Sequence, residues 1–243
     1  MSSYASSVKA LIHGRNGRKV DLQKSVGLVP ADALLVGMRE TADLSANRTL
    51  RFAMDEIEIV QNLCPSLGLR PMRSTPHKDD VLKHVQACRV FHFAGHGQSD
   101  PDELSRSCLL LEDWKTNPLT VGDLRDHRLQ KTAPSLGFLS ACSTGSNKID
   151  KLPDEGIHLV SAFQLAGFRH VVGTLWEVSD QHGVDVARLL YETMSDEGMI
   201  DVAVCRGLHR ATRALRDGQS GRDRGFIRQD GSCGADYLRD ARG

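Results

Sequence analysis

The chain has 243 residues, 40% of them apolar and 26% charged, which suits one large α/β domain with a sizeable core or two small ones. Lys plus Arg and Asp plus Glu both number 31, so the formal net charge is zero and nothing electrostatic draws the chain to nucleic acid or to a membrane surface. No apolar run approaches the ~20 residues that span a bilayer, no signal peptide is visible, and Cys64, Cys88, Cys108, Cys142, Cys205 and Cys233 form no C-x-x-C pair, so a cytoplasmic protein with reduced thiols, no metal and no cofactor is expected.

Residues 1–32 contain Ser, Gly and Lys/Arg with one weak helical patch, Val8 to Ile12, and are read as a short helix or arm. Ala33 to Gly37 is an apolar run ending in Gly and is the natural first strand of an α/β unit. Leu50, Met54, Ile57, Val60 and Leu63 recur at three- and four-residue spacing and predict an amphipathic helix. Gly68 to Met72 is a short second strand, and Thr75-Pro76 predicts an N-cap and first position for a helix with Val81, Leu82, Val85 and Cys88 on its buried stripe. Arg89 to Ala94 is a third strand running into Gly95-His96-Gly97. Alternating strands and helices argue a parallel sheet covered on both faces.

After a polar, acidic stretch, Cys108 to Glu112 predicts a small extra strand, with Cys108 buried, and Thr120 caps a short helix over 121–127. Ser135 to Gly145 comes next. Leu136 to Leu139 is a short apolar run bounded by turn residues, as expected of a buried strand of a parallel sheet. Ser140 to Gly145 are all small, which lets the backbone turn sharply and a ligand approach beyond the strand's carboxyl end. A helix over about 156–167 with Gly167 as its C-cap, a strand over 170–175, a helix over about 181–195 and a last helix over about 199–216 complete the domain at 33–216. The last helix is expected to bury Val202, Leu208 and Leu215. Residues 217–243 are rich in Gly, Arg and Asp and are read as a disordered tail.

Two strand tips carry the chemistry. If the strands ending at Ala94 and Ala141 are neighbours, about 4.8 Å apart, His96 and Cys142 overhang the same sheet edge. An imidazole there accepts the thiol proton and makes a nucleophile, and the amides of Gly97 and Cys142 offer an oxyanion hole. No third residue is evident, so a dyad is predicted. The plainer alternatives are that Cys142 is a small core hydrophobe and that His96 is an exposed turn residue. His92, inside the strand, is the weaker candidate.

The stretches H-F-A-G-H-G (92–97), S-x-L-x-L-E around Ser107 to Glu112, L-S-A-C-S-T-G (139–145), E-G-I-H-L-V-S-A-F-Q-L-A-G (155–167) and V-V-G-T-L-W-E-V-S-D (171–180) together resemble a CHAT domain, a branch of the caspase–separase group of cysteine peptidases in clan CD. The resemblance implies a caspase-hemoglobinase-like three-layer α/β/α sandwich with a mostly parallel central sheet, His96 as general base and Cys142 as nucleophile, in the order found in caspases. L-W-E-V-S-D is also similar to the separase segment whose acid receives a basic P1 side chain, a position matched by Asp180. With Ser140, Trp176 and Glu177 it makes a candidate P1 pocket that carries acids and no base, so cleavage of a protein or peptide after a basic residue is expected. For Asp180 a helix N-cap or first-turn acid is the plain alternative. The family also implies helical-repeat or NLR-type regulatory domains upstream in a longer parent protein. Phe226 to Gly243 does not resemble the aromatic-rich strand with which such domains commonly end.

The rival class is a catalytically silent interaction or regulatory module, against which the presence of both His96 and Cys142 argues. A nucleotide-binding domain is disfavoured, since no G-x-G-x-x-G follows the first strand and no G-x-x-x-x-G-K-[ST] occurs.

Overall fold

The computed structural model describes residues 31–44, 48–98, 100, 102–127, 134–143, 155–173 and 179–218. Residues 1–30 of the arm expected over 1–32, the tail beyond 218 and the loops at 144–154 and 174–178 lie outside the described residues, and residues 31 and 32 belong to the first strand.

The strands are β1 (Ala31–Gly37), β2 (Leu69–Arg73), β3 (Val90–Gln98), β4 (Cys108–Leu109), β5 (Leu119–Thr120), β6 (Leu136–Ser143) and β7 (His170–Gly173). The helices are α1 (Ala53–Leu63), α2 (Lys78–Val85), α3 (Val121–Asp126), α4 (Glu155–Ala166), α5 (Asp180–Glu197) and α6 (Asp201–Arg216). Five strands run parallel in the order β2-β1-β3-β6-β7. The short β4 pairs antiparallel with the tip of β3 through Gly97 and Gln98, and β5 pairs with β4. The sheet is therefore mostly parallel and central, as expected of the sandwich.

Each face of the sheet has its own core, because strand side chains alternate. On one face Leu34, Val36, Phe91, Phe93 and Leu139 pack against α2, α3 and α4 through Val81, Val85, Leu124, Leu159 and Phe163. Phe91 and Phe163 stack with ring centroids 5.5 Å apart. On the other face Leu35, Val90, Ala94 and Phe138 pack against α1, α5 and α6 through Ile57, Val60, Leu190, Tyr191, Met194 and Ala203.

Local signals act largely as the sequence implies. Thr120 and Asp123 form a reciprocal capping box at the start of α3. Gly167, at φ 122°, ends α4 with its N–H and that of Phe168 both directed to Phe163 O. Four details differ. α2 starts at Lys78, with His77 rather than Thr75 at the N-cap, because Asp80 gathers the Ser74 and Thr75 hydroxyls and the Asp113 carboxylate takes the Lys78 N–H instead. Gly95-His96-Gly97 and Ser140 to Ser143 form no turns; both continue as paired strand, because β6 accompanies β3 as far as Gly97↔Ser143. Met54, expected on the apolar stripe of α1, is 38% exposed, and the buried face is Ala53, Glu56, Ile57 and Val60. In α6 the buried residues are Ala203, Val204, Gly207 and Ala211, while Val202 is exposed. Small side chains allow α6 to lie close on α5: a Cβ at Gly207 would stand 3.0 Å from Leu190 Cα and 3.1 Å from its carbonyl oxygen.

The end of the sheet opposite the strand tips carries an ion-pair cluster. Arg169 Nε and His170 Nε2 lie 2.7 and 2.9 Å from Asp201 Oδ1. The Arg169 hydrogen bonds, with help from His170, hold the Asp201 carboxyl at about 2 against an ordinary 3.8. A group whose folded-state value is depressed stabilises above its unfolded value and loses that contribution as pH falls through the folded one. The carboxylate is about a third exposed, so solvent screening reduces the effect to about 1–2 kcal/mol. Asp201→Asn is accordingly expected to lower stability at neutral pH by that amount, and urea midpoints of wild type and variant should converge between about pH 4 and pH 2. Midpoints that stay equally separated throughout would show that the cluster contributes nothing.

Candidate active site

Because β3 and β6 are parallel neighbours in register, His96 and Cys142 are Cα partners across the sheet, as are Ala94 with Ser140 and Gly97 with Ser143. The carboxyl ends of both strands reach the same sheet edge, where open α/β sheets bind ligands. The backbone of Cys142 belongs to the described part; its side chain does not.

His96 is 6% exposed, not the exposed turn residue of the plainer alternative. Gly95 leaves room for the packing around it, since a Cβ there would meet the Phe93 ring at 2.5 Å and Met38 Cβ at 3.2 Å. The ring contacts the segment leading into α1: Nε2 lies 2.7 Å from the carbonyl oxygen of Arg48. A carbonyl only accepts, so Nε2 carries a hydrogen and donates it. In the neutral ring the basic nitrogen is then Nδ1, a tautomer assigned from the partner of its other nitrogen. Arg48 O is thus a partner of the imidazole that the sequence did not reveal. It is a backbone atom, and nothing in the side chain at position 48 announces it.

Ser140 stands two positions before Cys142, and its hydroxyl donates to Glu56 Oε2 at 3.0 Å. Glu56 is 1% exposed. Its other oxygen, Oε1, lies 2.9 Å from His92 Nε2, and His92 Nδ1 lies 3.1 Å from the Tyr191 hydroxyl. His92 is wholly buried, stacked on Phe138 at 4.6 Å between ring centroids, and its position inside the strand makes it a core residue. Burial pushes the Tyr191 hydroxyl well above its ordinary value, so it is a neutral O–H.

Asp180 opens α5 as its first-turn acid, behind Ser179, which is the N-cap and accepts the His182 N–H. The Asp180 carboxylate also accepts the Phe52 N–H at the start of α1, at 3.0 Å. Positions 48, 52 and 56, each four residues from the last, therefore contact His96, Asp180 and the Ser140–His92 pair respectively. Gly97 is held between β4 and β6, opposite Leu109 and Ser143. Trp176 and Glu177 lie outside the described residues. Arg169 sits at the other end of its strand, bound to Asp201. That far end also carries a recess of about 150 Å³ bounded by Ser135, Leu136, Arg169, His170, Met194 and Ile200, at the opposite end of the sheet from His96.

The remaining thiols contrast with position 142. Burial raises Cys64 and Cys108 to about 11 and Cys88 to about 12, so none of these three forms a thiolate at neutral pH, while Cys205 is exposed on α6. Among the described residues no group of His, Cys, Asp and Glu has the arrangement of a metal site, and no helix is long and apolar enough to cross a membrane.

No curated protein matches the chain. The family model of the CHAT domain matches residues 2–228, a span reaching beyond 33–216 at both ends. With a mostly parallel sheet between two helical layers and paired His and Cys positions at its carboxyl edge, the chain belongs to the CHAT domain family, a relative of the caspase-like cysteine peptidases.

Proposed function

We propose that the protein is a cysteine endopeptidase in which His96 is the general base and Cys142 the nucleophile, and that it cleaves a protein substrate after a basic residue. The observation that carries this reading is the His96↔Cys142 register on adjacent parallel strands, combined with the Arg48 carbonyl that fixes the imidazole with Nδ1 as its basic nitrogen. Positions 138, 140 and 142 of β6 run beside 92, 94 and 96 of β3, and residues two apart on a strand share a face. His96 Nδ1 takes the thiol proton, the thiolate sulfur attacks the scissile carbonyl, and the amides of Gly97 and Cys142 receive the developing oxyanion. The imidazolium then gives its proton to the leaving amine, and water hydrolyses the acyl-enzyme. Ser140, Asp180, Trp176 and Glu177 form the P1 pocket. Regulatory domains of the helical-repeat or NLR type in a longer parent protein would control it.

A thiol-alkylating probe tests the dyad. Cys142 should label well ahead of the exposed Cys205, and His96→Ala should slow that labelling by about tenfold or more, since the imidazole no longer takes the proton. Labelling of Cys142 no faster than Cys205 and indifferent to His96→Ala would sink the proposal. A peptide library supplies the specificity: Arg or Lys at the cleaved position is expected, Asp180→Lys should remove that preference while sparing alkylation of Cys142, and a preference for Asp would refute the pocket.

A further inference from the structure

A carboxylate buried to 1% exposure is costly unless its neighbours compensate it. Glu56 sits on the buried stripe of α1, between Ala53 and Ile57, where an apolar residue would pack at no electrostatic cost. The directions of its hydrogen bonds are assigned from the neutral Tyr191 hydroxyl, which has His92 Nδ1 as its partner. The Tyr191 hydroxyl donates to His92 Nδ1, which leaves the His92 hydrogen on Nε2, donated to Glu56 Oε1, and the Ser140 hydroxyl donates to Glu56 Oε2. In that assignment the Glu56 carboxylate accepts at both oxygens, and it lies under the strand tips on the face of the sheet that His92 and Phe138 share.

The charge is placed toward the proposed pocket rather than elsewhere in the core. Ser140 is only half-buried, so its hydroxyl stands between Glu56 and the edge where Cys142 lies two residues further on. The first turn of α5 closes on the same pair: a Cβ at Gly183 would stand 2.6 Å from Ser140 Oγ and 3.0 Å from Glu56 Oε2. A side chain at Gly183 would have to displace the Ser140 hydroxyl and the Glu56 carboxylate. Asp180, three residues earlier, is half-buried and turned to the Phe52 N–H, so it is an acid at the surface end of the same helix turn, with Glu56 beneath it.

We infer that Glu56, acting through Ser140, is the specificity-determining acid of the P1 pocket, and that it selects substrates with a Lys or Arg side chain at the cleaved position. The inference rests on the peptidase reading above and names the residue that gives it its charge preference. A substrate ammonium or guanidinium entering beside Cys142 meets a fixed, desolvated negative charge, whose influence is greater than that of a solvated surface acid.

The charge can be read at Cys142 without any substrate, with the full chain carrying Cys205→Ser and Cys233→Ser. The probes are two methanethiosulfonates of similar size, cationic 2-(trimethylammonium)ethyl and anionic 2-sulfonatoethyl, and the readout is the ratio of their rates at Cys142 relative to the same ratio for a free cysteine peptide. The wild-type ratio should favour the cation by at least about tenfold. Glu56→Gln, which keeps the shape and removes the charge, should bring it to within about threefold of the peptide value, whereas Glu56→Asp, which keeps the charge, should retain the preference. A general loosening of the core would speed both reagents together and leave the ratio unchanged. A wild-type ratio equal to that of the peptide overturns the inference even if Glu56→Gln fails to fold, and a preference that survives Glu56→Gln overturns it equally. A Cys142 inert to both reagents overturns the peptidase reading as well, whereas a reactive Cys142 without charge preference removes only the role of Glu56.

Discussion

Cys142→Ala is expected to abolish peptide cleavage, a loss of roughly 10⁴-fold or more in kcat, while the melting midpoint stays close to that of wild type. The sulfur forms the covalent bond, so no other group replaces it, and alanine is accommodated in a run that is already Ser140-Ala141-Cys142-Ser143. His96→Ala is expected to cost a comparable factor, and the double variant should be no slower than either single one, because base and nucleophile act as a unit. The measurement is kcat on the best peptide of the library. Retention of a tenth of the wild-type rate by Cys142→Ala would move the nucleophile elsewhere. Exchange of the side chain at position 48 leaves the carbonyl that orients His96 in place, so Arg48→Ala should be far milder than His96→Ala.

The largest effect on stability is expected at Phe91. The ring is 1% exposed, lies on the central strand β3, stacks on Phe163 of α4 and also meets Phe168 at 6.4 Å. Phe91→Ala removes both contacts and leaves a cavity between sheet and helices, a loss of about 3–5 kcal/mol. For a domain of this size that corresponds to a fall of roughly 10 °C in Tm. Thermal unfolding of the two proteins, followed by circular dichroism at one scan rate, gives the answer. A shift under about 3 °C would mean that the aromatic layer between β3 and α4 collapses to fill the gap.

The elements that the sequence announces most clearly are those whose periodicity and end signals agree. Val184, Ala187, Leu190 and Met194 recur on one stripe and all four are buried in α5. Thr120 and Asp123 close their capping box, and Gly167 takes the left-handed position that ends α4. The order of strands β3 and β6 is less legible, because pairing between residues 46 positions apart depends on the whole sheet; only the two apolar runs ending in small residues hint at it. Hydrophobic periodicity fails in α6, where Ala203, Gly207 and Ala211 are buried for closeness rather than for size. It fails again in α1, where Met54 looks apolar and faces water while Glu56 looks polar and is buried. The available signal at Glu56 was positional, an acid three residues after Ala53 and one before Ile57, in the register of the buried face. The carbonyl of Arg48 left no signal, since every residue has one.

The spacing of residues 48, 52 and 56 has a mechanical meaning. One short stretch of chain meets the imidazole with a carbonyl, the start of α5 with an amide and the Ser140 hydroxyl with a carboxylate. Only Glu56 stands on α1; Arg48 and Phe52 lie in the non-helical approach to it. The base, the opening of α5 and the strand tip are thus all fastened to the place where one helix begins, and a change in how the chain enters α1 bears on each of them.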